Sequence, residues 1–186
     1  MVVQDRIYTA EEFWQIVNET DDDIRLELVE GIIIEMPPSS PINTIIAGRI
    51  LAFVFNFVEE NDLGYVSGAD GGYTLSPAHV RVPDVAFISK ARLPEIPEQF
   101  KDAPDLVFEV ISPSESARKV NDKTQLYLSS GVRMVVNVYP EDQVVEVWKS
   151  TGDGGMQVHT LTIEDVFDGG DVLPGFKLPV KKIFPK

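Results

Sequence analysis

The sequence predicts an α/β domain in which a mixed β-sheet is flanked by helices. Short runs rich in Val, Ile, Leu, Phe and Tyr recur along the chain, as strands require. Two longer segments read as helices: 41–61, apolar around most of its circumference, and 115–130, set between capping residues. The chain has 186 residues, 44% of them hydrophobic, with 13 Gly and 13 Pro. That composition suits one domain covering 1–186 with a substantial core. No internal repeat or low-complexity tract interrupts it.

The elements follow in order. Thr9-Ala10-Glu11-Glu12 has the form of a capping box. Phe13, Ile16 and Val17 then give a short helix its apolar face, and the helix ends before Asp21-Asp22-Asp23. Residues 24–29 and 32–36 predict two strands joined at Glu30-Gly31, where Gly takes the positive φ of a tight turn. Pro37-Pro38-Ser39-Ser40-Pro41 closes that hairpin. Helix 41–61 is apolar around most of its circumference, which fits packing on both sides or on a sheet. Strands are expected at 65–68, 73–75, 80–89 and 106–112. A second helix spans 115–130, with Ser114 as N-cap and Gly131 as the C′ residue. Strands 132–139 and 144–149 flank the turn at 140–143. From residue 157 a further strand, a turn at 162–165 and an irregular Pro/Gly-rich tail complete the chain.

Composition excludes several chemistries. There is no cysteine and there are only two histidines, so disulfides, Cys-ligated metals and His-rich metal sites are ruled out. A bound metal must be held mainly by carboxylates, which favours Mg²⁺, Mn²⁺ or Ca²⁺. The N-terminus lacks the basic-then-apolar layout of a signal peptide, and the apolar stretch 42–58 is interrupted by Asn43, Thr44, Gly48, Arg49 and Asn56. The expectation is a cytoplasmic protein with no membrane partner. The net charge is −14, which repels nucleic acid except where basic residues gather locally. Arg118, Lys119 and Lys123 cluster in sequence, with Arg81, Lys90 and Arg92 elsewhere.

Two carboxylates interrupt runs that otherwise look buried. Asp84 lies within 80–88 and Glu109 within 106–111. Asp is depleted from strands, and an unpaired buried carboxylate costs several kcal/mol even after relaxation. A divalent cation shared by the two would offset that cost and keep both ionised. The same pattern equally fits carboxylates on exposed strand faces or paired with arginines.

Lys123 has a geometric relation to this pair. It lies eight residues into the second helix, about 12 Å along its axis. Glu109 lies about 10 Å back from the end of its strand. A helix packed antiparallel on that strand brings the two level, with Lys119 and Tyr127 on the same face. A solvated helix face is the alternative for these residues. Glu27 interrupts a further apolar run, as an outer acidic ligand or as the partner of Arg25 or another base. His79 and His159 have no partner at ligand or triad spacing and are expected to be structural. No serine sits in a nucleophile elbow, and Gly68-Ala69-Asp70-Gly71-Gly72 lacks the lysine and spacing of a phosphate loop.

Five segments in order carry a resemblance: Leu26-Glu27-Leu28-Val29-Glu30-Gly31; Met36-Pro37-Pro38-Ser39-Ser40-Pro41; Arg81-Val82-Pro83-Asp84-Val85-Ala86-Phe87; Pro104-Asp105-Leu106-Val107-Phe108-Glu109-Val110-Ile111-Ser112-Pro113-Ser114; and Lys123 with Tyr127 and Gly131-Val132. Over about residues 8–148 the chain resembles a large family of uncharacterised restriction-endonuclease-like proteins expanded in cyanobacteria. That family looks like a branch of the PD-(D/E)XK nuclease superfamily.

The resemblance implies a restriction-endonuclease-like core, Mg²⁺ (or Mn²⁺) as cofactor, DNA as substrate and, by analogy, a homodimer. Asp84 and Glu109 would be metal ligands. Lys123, moved from the place of Ile111 onto the helix, would act on the attacking water and the phosphate, and Glu27 would be the additional acidic residue. Four places depart from the family pattern: Asn43 stands for His, Lys119 for an acidic residue, Met134-Val135-Val136 for Glu-Tyr-Trp, and Tyr139 for Asp. The rival expectations are a catalytically silent binding or assembly module and a metal-free two-carboxylate hydrolase. The nuclease reading requires Asp84, Glu109 and the Lys123 amine to converge within about 6 Å on one concave surface.

Overall fold

The computed structural model describes residues 6–20 and 24–186; the expected helix stop at Asp21–Asp23 lies outside them. Helix α1 (Ala10–Glu19) opens with the capping box complete, Thr9 and Glu12 each bonding the other's backbone N–H. Strands β1 (Leu26–Val29) and β2 (Ile32–Glu35) form the expected hairpin. Glu30 and Gly31 have φ of 53° and 77°, as the tight hairpin turn demands. A Cβ on Gly31 would also strike Ile7.

After the hairpin come α2 (Pro41–Glu60), β3 (Gly64–Gly68), β4 (Tyr73–Ser76), β5 (His79–Arg81) and β6 (Val85–Ser89). The predicted strand 80–89 is therefore two strands. Pro83 has no N–H to donate to a ladder, and the chain uses Val82-Pro83-Asp84 to pass from one sheet to another. Strands β2-β1-β5-β4 make a four-stranded sheet, backed by Phe13 and Ala10 of α1.

The larger sheet has the order β10-β9-β8-β7-β6-β3. It adds β7 (Leu106–Val110), β8 (Met134–Tyr139), β9 (Val144–Ser150) and β10 (Met156–Leu161). Between β7 and β8 lies α3 (Ala117–Ser129). Its N-cap is Ser116 rather than Ser114, and Gly131 follows it with φ 99°. Strands β7 and β8 are parallel, so α3 is the crossover that parallel pairing requires.

Every residue of β7 is buried, because both faces of the sheet are covered. Leu106, Phe108 and Val110 point to the α2 side, with Ile46, Ile50, Val54 and Val58. Val107 points to the α3 side, with Tyr127, Leu128 and Val135. The tail is more ordered than expected. It forms β11 (Val166–Asp168), β12 (Lys177–Pro179) and a 3₁₀ turn at Val180–Lys182. Phe167, Leu173, Phe176, Leu178 and Ile183 join the α2-side core.

Of the two arrangements open to helix α2, packing on the sheet is the one formed; its outer face is exposed at Ile42, Ile45 and Phe55. By length and mean hydropathy (1.6) it is long and apolar enough to cross a membrane, contrary to the reading of 42–58 as too polar. In this fold Ile46, Ile50, Val54 and Val58 are fully buried in the core.

Ile50→Ala is expected to lower stability by about 2–5 kcal/mol, the cost of a core cavity. A denaturant midpoint unchanged from wild type would show that the α2 contact is not part of the cooperative core.

Candidate functional site

Strand register assembles the site. Val85 pairs with Phe108 across the antiparallel β6–β7 ladder. Continuing that register by one residue sets Asp84 opposite Glu109, within cross-strand reach of about 5 Å. On the other side Glu109 pairs with Asn137 of β8. Alternation along the strands turns Asp84, Glu109 and Asn137 toward the α3 face. Three polar side chains therefore lie in a row beneath one helix.

Lys123 of α3 meets that row. Its Nζ lies 2.8 Å from Glu109 Oε2, and the Tyr127 hydroxyl donates to Glu109 Oε1 at 2.7 Å. Asp84 Oδ2 accepts the Val110 N–H at 2.7 Å. The Val110 carbonyl accepts from Asn43 Nδ2 at 3.1 Å. Asp84 and Asn43 thus hold the two backbone groups of Val110 where β6 has ended and offers no ladder partner. Asn43 Oδ1 is buried and has no donor among the described residues.

Glu27 is nearby but committed elsewhere. It accepts from Arg81 Nη1 at 2.8 Å and from the Val82 N–H at 3.0 Å. Of the partners left open by the sequence, Arg81 holds it. Burial works to raise the Glu27 carboxyl, but Lys123 and Arg81 outweigh that and hold it below its ordinary value. Arg81, half-buried and held in this pair, cannot serve as part of an exposed basic strip.

Burial pushes the Glu109 carboxyl up to about 7, with Lys123 opposing and the Asp84 charge adding to the rise. Asp84 is likewise raised, by burial first. Burial would lower the Lys123 ammonium, but Glu109 and Glu27 outweigh it and keep the amine above its ordinary value. Lys123 and, more weakly, Arg25 pull Asp84 down, but burial outweighs them, and both carboxyls end above their ordinary values.

A cleft of about 360 Å³ lies beside this cluster, lined by Ile111, Glu115, Asn137, Tyr139, Glu146 and Trp148 among others. A much smaller cavity of about 10 Å³ sits at Glu109, Lys123 and Tyr127 and shares Ile111, Glu115, Val120 and Asn137 with the cleft. It has room for about one water. No lysine or arginine lines the cleft, whereas Glu115, Glu141, Asp142 and Glu146 do. The other cations gathered in the sequence are apart from it or paired: Lys90 with Asp62, Arg92 with Asp105 and Arg118 with Asp122. Lys119 is exposed on α3.

His79 Nδ1 accepts from the Glu30 N–H at 3.3 Å and so supports the hairpin turn. His159 is exposed on β10. Sequence reasoning placed Tyr127 on the right face but gave it no role, and it passed over Asn137. Asn137 is a polar residue inside the apolar run of β8 and donates to Thr124 at 2.9 Å. The signal that singled out Asp84 and Glu109 would have found it.

Comparison with known proteins places this architecture. A crystal structure of a protein from Anabaena variabilis, described as a putative nuclease belonging to DUF820, superposes with a TM-score of 0.81 at 22% sequence identity. The match covers 95% of this chain and 97% of that one. At this identity the likeness establishes a shared fold. No curated protein matches the chain. The family Uma2, described as "Putative restriction endonuclease", matches residues 10–181, and the chain belongs to that family.

Proposed function

We propose that this protein is a Mg²⁺- or Mn²⁺-dependent nuclease of the PD-(D/E)XK type, hydrolysing phosphodiester bonds in DNA. Membership of a family described as putative restriction endonucleases supports the reaction class. The observation that carries the reading is the juxtaposition of Asp84 and Glu109 on neighbouring strands with the Lys123 amine 2.8 Å from Glu109.

The donor set fits a hard divalent cation. Among the described residues no three His, Cys, Asp or Glu side chains group as a metal cage. Mg²⁺ commonly needs only one or two carboxylates, keeping waters and taking oxygens from the substrate phosphate. Asp84 and Glu109 would hold it. When bound, the cation lowers the pKa of its water and neutralises charge on the phosphate.

The protein's own groups do the positioning. The Val110 N–H fixes one Asp84 oxygen and leaves Oδ1 without a donor among the described residues. Tyr127 and Lys123 fix the Glu109 carboxylate. The Lys123 ammonium, kept charged by Glu109 and Glu27, stands ready for the charge that develops on the phosphate. The acidic cleft makes substrate approach depend on the cation, because a phosphate meets carboxylates there and no lysine or arginine.

Asp84→Asn is expected to abolish the Mg²⁺ binding seen by calorimetry in the wild type. Together with Lys123→Ala it should lower cleavage of supercoiled plasmid by about 10²-fold or more. Circular dichroism would confirm that both variants are folded. Identical binding heats and no cleavage by the wild type would favour the catalytically silent alternative. Cleavage that survives a chelator would favour metal-free carboxylate chemistry.

The proton and the cation compete for Glu109. Its folded pKa of about 7 lies above the unfolded value, so the folded state holds the extra proton between about pH 4.5 and 7. That contribution to stability is present below pH 4.5 and lost as pH rises through 7. His79, lowered by burial and by Arg81, contributes with the opposite sign. The difference between wild type and Glu109→Gln isolates the carboxyl. Without metal, the wild type should lose stability relative to the variant from pH 5 to 8, by a few kcal/mol. Parallel stability curves over that range would show that Glu109 does not titrate there.

A further inference from the structure

We infer that the outer face of α2 is where two copies of this chain associate, with the helices antiparallel across a two-fold axis beside residue 50. The inference rests on the helix itself and stands apart from the nuclease reading.

The buried stripe of α2, Ile46, Ile50, Val54 and Val58, faces the sheet. Directly opposite lies a second stripe, Ile45, Gly48, Ala52 and Phe55, all exposed. Ile45 is 51% and Phe55 45% exposed, with Ile42 beside them at 41%. Solvated helix faces are normally charged, yet this one carries no charged side chain from Pro41 to Asn56. Arg49, the single charge in that span, turns aside and donates to the Lys182 carbonyl at 2.9 Å.

Spacing favours a second copy as the partner. The exposed stripe is symmetric about residue 50: Ile45 and Phe55 lie five residues either side, and Gly48 and Ala52 two either side. A two-fold antiparallel pair would therefore set Ile45 against the partner's Phe55 and Gly48 against the partner's Ala52. An isologous contact demands such self-complementarity. The small residues fall at the crossing point, where nothing lies within 4 Å of a Cβ built on Gly48. Two backbones can approach closely there, toward the short end of the usual 8–10 Å.

Charge agrees with this orientation. The last turn of α2 holds Glu59 and Glu60 and no basic residue, and its first turn holds no acidic one. The C-terminal end thus opposes the helix's own dipole, while the N-terminal end is neutral. The antiparallel pair brings Glu59 beside the partner's helix start, where negative charge is favourable. A lipid surface fits less well, because membrane-lying helices flank their apolar face with Lys and Arg and this chain has a net charge of −14.

Sedimentation equilibrium should give the wild type a mass twice the 20.7 kDa chain. Ala52→Glu, at an exposed position, should weaken association by at least about 100-fold through like charge at the crossing, with an unchanged circular dichroism spectrum. The natural chain has no cysteine, so the pairing can be tested directly. An oxidised mixture of Gly48→Cys and Ala52→Cys should cross-link far more than either variant alone. A wild type that stays monomeric, a dimer indifferent to Ala52→Glu, or equal cross-linking in all three samples would overturn the proposal. So would a monomer that binds phosphatidylcholine vesicles through this helix.

Discussion

The Glu109–Lys123 contact is the constraint on which the centre of this molecule depends. A carboxylate in the middle of a sheet covered on both faces pays a desolvation cost that only a charged or hydrogen-bonded neighbour can offset. Lys123 and Tyr127 supply that neighbour from one face of α3. They do so only because α3 runs back along β7 as the crossover to a parallel β8. The helix is thereby held at one height and one rotation on the sheet. The remaining charges are arranged around this pair, with Glu27 and Arg81 balancing each other just beyond it.

Asp84 and Glu109 are both raised by burial, which outweighs the Lys123 charge acting on each and the Arg25 charge acting on Asp84. Carboxyls held above their ordinary values beside a cleft mark a candidate site. The cleft itself is lined by Glu115, Glu141, Asp142 and Glu146, so a polyanion would be repelled from it over about a Debye length; under the proposed function a cation would have to accompany the substrate.

Helix α2 plays two parts with one sequence. Its inner stripe closes the core on the side opposite the site, and Asn43 in its first turn holds the Val110 carbonyl beside Asp84. Its outer stripe, Ile45, Gly48, Ala52 and Phe55, is exposed and carries no charge. Association through that stripe would link assembly to the same strand end that positions Asp84.

Local features were legible in the sequence because local physics sets them. The Thr9–Glu12 capping box, the Glu30-Gly31 turn and the two long helices follow from side chains acting on nearby backbone. Alternation and the polar residues inside apolar runs exposed Asp84 and Glu109, and helix rise placed Lys123 level with Glu109. What the residues alone left open was which strands adjoin: the break at Pro83, the order of the sheet and the partner of Glu27 all depend on pairings between distant segments. The tail from residue 166 looked irregular because its strands are short, and its Phe and Leu residues count as core only once the sheet exists to receive them. Sequence therefore determined the elements and the chemistry available to them. Only the tertiary structure decided which carboxylate meets which cation, since that rests on long-range register and on the desolvation that packing imposes.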